Sequence, residues 1–149
     1  VSSRVGRVKS SQHRLGDRVV WQLARASQQW QRLARRELAA ANVRTQYYHV
    51  LASLADDGDA AQAALADRIS FDRSDLVSVL DELERLGHVV RRTDPTDRRR
   101  NIVAITPAGE KLLTELDQLV YAAEARLLEP LSAAERKTLL ALLSRLAQD

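Results

Sequence analysis

Cysteine is absent from the 149-residue sequence, which removes disulfides, thiolate nucleophiles, thiol redox sensing and cysteine-ligated zinc together. Glycine is scarce, with five in the chain, and no Gly-rich phosphate loop occurs. The three histidines, His13, His49 and His88, stand far apart and share no metal-ligand spacing. No serine sits in a nucleophile elbow. Catalysis, a metal centre and a cofactor are therefore not expected. No apolar run approaches the roughly 20 residues of a membrane span, and the basic N-terminus lacks a hydrophobic signal core. The expectation is a cytoplasmic protein without membrane association.

What is present fits one domain with extensions, large enough to bury a core. Hydrophobic residues make up 45% and charged residues 29%, the balance of a soluble globular chain. Net charge is only +3, yet the pI is about 9.7 and arginine far outnumbers lysine. A GC-rich genome accounts for that bulk preference. It does not account for five arginines between Arg91 and Arg100.

Those arginines sit in a patterned stretch. Asp94-Pro95 punctuates the backbone as a turn. Ile102 to Ile105 is a short β-branched run, and His88 to Arg92 is a second strand-like run, so the two predict a hairpin. Thr106-Pro107 then opens a helix, with a hydroxyl cap and Pro at the first position. A hairpin tipped with arginines is a poor core element and a good probe of a phosphate-lined groove.

Before the hairpin, apolar residues at 3- and 4-residue spacing (Val19, Leu23, Ala26, Trp30, Leu33) predict a long helix from about Ser11 to Ala41. Thr45 is expected to cap a second helix to Ala55. A third is expected from Ala60 to Ile69, and after the turn Ser70-Phe71-Asp72 a fourth from Arg73 to Leu86, capped by Asp72 and ended by Gly87. Two helices, a tight turn and a basic hairpin make a winged helix-turn-helix. A helix to about Glu129 follows, stopped by Pro130. Ser132 and Glu135 form a capping box for a last helix rich in leucine. So apolar a helix needs cover, which points to a dimer interface built from both chain ends.

The fold expected is therefore mainly α with a small β-hairpin, a winged helix-turn-helix flanked by dimerisation helices. Residues 1–10 form a flexible basic tail, 43–106 the winged helix-turn-helix, and 11–42 with 107–149 the dimerisation region.

At this level the sequence resembles the MarR (multiple antibiotic resistance regulator) family of transcription factors. The most specific match is the wing signature: Asp97-x-Arg99, five residues, the aliphatic Ile105 with Thr106, two residues, then Gly109. Ile105 stands where Leu is usual. A second matching block is Phe71-Asp72-Arg73-Ser74, then Leu83-Glu84-Arg85-Leu86-Gly87 and Val89. The resemblance implies a homodimer on a palindromic operator in double-stranded DNA. One recognition helix per protomer enters the major groove and one wing the minor groove. It implies a repressor released by a small phenolic or anionic effector. A winged-helix protein-interaction module without specific DNA binding is the alternative, and the acidic residues of the recognition helix are its support.

On the recognition helix, Arg73, Ser74, Asp75, Val77 and Ser78 lie off the apolar face near the N-terminus, the turn that meets base edges. They depart from the common family pattern, in which Thr often stands at 75 and 77 and Arg at 78. Asp75 is open to two readings, an acceptor for a cytosine amino group or a helix-start carboxylate. Asp81, Glu82 and Glu84 are expected to face away from a duplex or to pair with Arg85. In the wing, Arg98, Arg99 and Arg100 are candidate DNA contacts, and the resemblance implies that Asp97 pairs with an arginine to stiffen the tip. For the effector, the candidates are His13, Arg14, Arg18, Trp21, Tyr47, Tyr48 and His49, with the aromatics as core residues the competing reading.

Overall fold

The computed structural model describes residues 15–147. The expected basic tail, and His13 and Arg14 as effector contacts, lie outside the described residues. Six helices and three short strands follow in the order α1 (Val19–Ala40), α2 (Thr45–Asp57), β1 (Ala60–Ala61), α3 (Gln62–Arg68), α4 (Arg73–Arg85), β2 (Val89–Thr93), β3 (Asn101–Ile105), α5 (Pro107–Leu127) and α6 (Ala133–Leu146). The architecture is mainly helical with a small antiparallel sheet in the order β1-β3-β2. No described helix is long and apolar enough to cross a membrane.

Three sequence expectations are corrected. Among the described residues α1 starts at Val19, after a turn at Leu15–Asp17, and not near Ser11. Thr45 is the first residue of α2 and not its cap; Arg44 occupies the cap position with extended backbone and no side-chain cap bond. Ala60 and Ala61 form a strand paired with Val103 and Ile102, so the wing sheet has a third member where a helix start was expected. Alanine favours helix by propensity, but its neighbour in space decides the matter here.

The caps read from the sequence are in place elsewhere. Asp72 accepts from the Ser74 N–H at 2.8 Å. Ser132 and Glu135 close their reciprocal box, with the Ser132 N–H donating to Glu135 at 2.7 Å. Gly87 ends α4 in the left-handed region at φ 79°.

One core cluster joins the end of α1 at Leu38 to α2, α3, α4, the sheet and α5. Its centre is the inner face of α4, where Leu76, Val79, Leu80 and Leu83 are all buried. The apolar seam of α1 behaves differently along its length. Its C-terminal part packs through Trp30, Ala34 and Leu38, whereas Val19 remains 77% exposed. The helix α6 buries no residue.

The signature Thr106-x-x-Gly109 has a direct steric explanation. Thr106 Oγ1 donates to the Gly87 carbonyl at 2.6 Å and accepts from the Gly109 N–H at 3.1 Å. It thereby ties the end of α4 to the start of α5. A Cβ on Gly109 would stand 2.1 Å from the His88 carbonyl oxygen. Only glycine lets β2 begin against α5 at that distance.

Candidate nucleic-acid interface

Helical periodicity splits α4 cleanly. Arg73, Ser74, Asp75, Val77 and Ser78 are all exposed, while Leu76 between them and Val79 and Leu80 after them are buried. The N-terminal turn is held by Asp72, whose carboxylate also accepts from the Ser74 hydroxyl at 2.5 Å. These hydrogen bonds keep the Asp72 carboxyl below the usual carboxylate range.

The wing is built by a regular ladder, Val89↔Ile105 through Thr93↔Asn101. Its tip is held by backbone and by two aspartates. The Asp94 N–H donates to the Arg100 carbonyl, and the Arg100 N–H to the Asp97 carbonyl, both at 2.9 Å. The Asp94 carboxylate accepts from the Thr96 N–H and hydroxyl at 2.8 and 2.7 Å. Asp97 accepts from the Arg99 N–H at 3.0 Å. It steadies the tip through the backbone, and among the described residues it makes no ion pair with a guanidinium. Asp94, which the sequence marks as the start of a turn but not as its anchor, is 8% exposed. Its signal was legible, an aspartate two residues before a threonine across a proline.

The five arginines of this stretch separate into two groups. Arg91 pairs with Asp81 and Glu84 on α4, and Arg92 with Asp59. Arg98, Arg99 and Arg100 are exposed and form no salt bridge among the described residues. Arg99 and Arg100 share a cleft of about 330 Å³ with Asn101, with Arg73 and Val77 of α4, and with the start of α3. Arg98 stands outside that lining.

Asp81, Glu82 and Glu84 were expected to face away from a duplex or to pair with Arg85, and among the described residues the salt bridges they form are to Arg44 and Arg91. Glu82 takes the Arg44 guanidinium at 2.9 Å and the Tyr47 hydroxyl, and Glu84 takes Arg91. The Tyr47 and Arg44 bonds hold the Glu82 carboxyl below its ordinary range, and the Arg91 bonds do the same for Glu84. Burial and then Glu82 push the Tyr47 hydroxyl up to about 12.

The candidate effector residues fan out. Tyr47 is buried and reaches α4 through Glu82. Tyr48 is half-buried, and burial followed by the Asp117 charge on α5 raises it to about 12. His49 meets Phe71 edge-on, with ring centroids 5.7 Å apart. Trp21 and Arg18 lie on the exposed start of α1. The Tyr48 and His49 rings also meet edge-on, with centroids 6.1 Å apart, while Tyr47 turns to α4. Among the described residues no group of three or more His, Asp or Glu side chains is arranged to hold a metal.

The MarR family profile matches residues 41–100, from the end of α1 through α4 to the wing tip. A Thauera aromatica protein named for transcriptional regulation of the hcr operon is 41% identical over 99 residues, 66% of this chain. The match spans 60% of that relative's own length. Escherichia coli MarR in its apo form superposes with a TM-score of 0.80 at 26% identity, over 88% of this chain and 97% of that one. Over residues 41–100 the chain is similar to the MarR family. A second MarR-like neighbour is the transcriptional repressor CouR bound to a 23-mer DNA duplex, with a TM-score of 0.80 at 28% identity over 91% of this chain and 96% of that one. The matched segment contains both exposed features described above, the first turn of α4 and the wing arginines.

Proposed function

We propose that the protein is a dimeric, sequence-specific DNA-binding transcriptional regulator, a repressor released by a small phenolic or anionic ligand. The observation that carries the reading is the division of the arginines. Arg98, Arg99 and Arg100 form no salt bridge among the described residues, and Arg99 and Arg100 line one cleft with Arg73 and Val77 of α4. Arginine forks match phosphate and guanine edges, and a narrow minor groove attracts them. In this reading α4 enters the major groove with Ser74, Asp75, Val77 and Ser78 toward the bases. Arg73, Arg99 and Arg100 face the phosphate strand that runs between the two grooves. The wing tip, steadied by Asp94 and Asp97, follows the minor groove.

Residues 43–106 do the reading and the chain-end helices join two protomers. The uncovered leucines of α6 and the exposed start of α1 support that division. Likeness to the MarR family supports release by a ligand, and the aromatic residues of α2 are the candidates for coupling it to α4. Of the acidic residues that favoured an interaction module, Asp81, Glu82 and Glu84 are taken up inside the protomer by Arg91, Arg44 and Tyr47, and Asp75 is exposed. A protein on the chromosome of a bacterium belongs in the cytoplasm.

Electrophoretic shifts with genomic fragments over a salt series test the reading. A specific shift is expected, whose logarithmic salt slope falls by about 0.9 for each phosphate contact removed in Arg98→Ala or Arg99→Ala. No specific shift, or unchanged affinity and slope in both variants, would falsify it.

A further inference from the structure

Arg91 is the one wing arginine tied to the recognition helix. Its Nε and Nη2 donate to the same Glu84 oxygen at 2.9 and 2.7 Å, and Nη2 also reaches Asp81 at 2.5 Å. The Arg91 backbone N–H donates to the other Glu84 oxygen at 3.0 Å. One carboxylate thus holds both the side chain and the main chain of a single strand residue. Asp81 and Glu84 are three apart on α4, which puts them on one side of the helix facing β2. Across the sheet Arg91 pairs with Val103, which is buried in the core.

An isolated exposed ion pair contributes little. A planar fork held by two carboxylates and a backbone bond does something else: it fixes an angle. Glu84 precedes the turn at Gly87, and Arg91 follows it, so the bonds close the short loop between the helix and the wing. Nothing in this arrangement faces the cleft of Arg73, Arg99 and Arg100.

We propose that Arg91 is a positioning residue that sets the angle of the wing to the recognition helix, so that both meet one duplex in a single step. The proposal rests on the DNA-binding reading above. Two contact elements joined rigidly engage together, and loosening the joint forfeits the advantage of the second.

The test uses the full chain and a duplex enriched by it from a random-sequence library. Affinity for that duplex is compared for the parent, Arg91→Ala, Arg99→Ala and the double variant, with thermal melting in parallel. Positioning predicts that Arg99→Ala weakens binding roughly tenfold in the parent and less than about threefold in the Arg91→Ala background. A merely structural role would lower the melting temperature and leave the Arg99 increment the same in both backgrounds, and that result overturns the proposal. Should Arg91→Ala fail to fold, Arg91→Lys keeps the charge without the fork, and the same loss of coupling is expected. Failure of the parent to enrich any duplex overturns the DNA-binding reading and this role with it. An enriched duplex with additive increments overturns the positioning role alone.

Discussion

The helices α4 and α6 are nearly equal in length, 13 and 14 residues, and each starts at a side-chain cap. Both are rich in leucine. Yet α4 buries Leu76, Val79, Leu80 and Leu83, while α6 leaves Leu140 68% and Leu146 72% exposed. The difference lies in the neighbours. α4 has α2, α3 and β2 around it in its own protomer, and α6 lacks such cover. Caps and propensity make a helix, and a partner surface decides whether its apolar face is spent on the fold or left for assembly.

The largest expected effect breaks the α4 side of this comparison. Leu80→Ala should cost about 2–5 kcal/mol, because a fully buried leucine leaves a cavity. Chemical denaturation of the purified chain measures it, and a loss below 1 kcal/mol on the order of a surface change would contradict the core assignment. On the α6 side, replacing Leu140 and Leu146 together by glutamate should leave the helical circular dichroism in place and turn a dimer into protomers in sedimentation. A chain that stays dimeric breaks the comparison.

Next in size is Gly109→Ala, where the new methyl meets the His88 carbonyl at the joint between β2 and α5. Overpacking of this kind costs roughly 1–3 kcal/mol, read as a lower melting temperature. The two caps sharpen the comparison further. Asp72→Ala and Ser132→Ala should each lose about 1 kcal/mol, equal in denaturation, but only the change beside α4 should also weaken DNA binding.

The smallest effect is in the pH dependence. Glu82 and Glu84 have carboxyls depressed below the ordinary carboxylate range by their hydrogen bonds to Tyr47, Arg44 and Arg91. A depressed carboxyl stabilises the fold above its unfolded pKa, and that contribution fades as pH falls through the lower folded value. Stability measured below about pH 4.5 should therefore decline less steeply in Glu84→Gln than in the parent. Equal slopes would mean that Glu84 titrates alike in both states.

Much of the fold was legible because its signals are local. The cap at Asp72, the glycine at 87, the box at Ser132 and the wing strands all act over a few residues. The exposed face of α4 followed from the spacing of its leucines. The strand at Ala60–Ala61 was not legible, since two alanines carry no period and their strand state exists only through Ile102 and Val103. Consecutive helical residues project about 100° apart, so Tyr47 reaches Glu82 of α4, whereas the rings of Tyr48 and His49 stay in edge-on contact and His49 also meets Phe71, pairings that the sequence does not show.

The sequence by itself determined which helices and hairpin form, where they stop, and that three arginines end up on a turn. Tertiary structure decided which arginines remain available. Arg91 and Arg92 form salt bridges to Asp81, Glu84 and Asp59, whereas Arg98, Arg99 and Arg100 form none among the described residues. Charge is written in the chain residue by residue, whereas its partner arrives from a distant segment through folding.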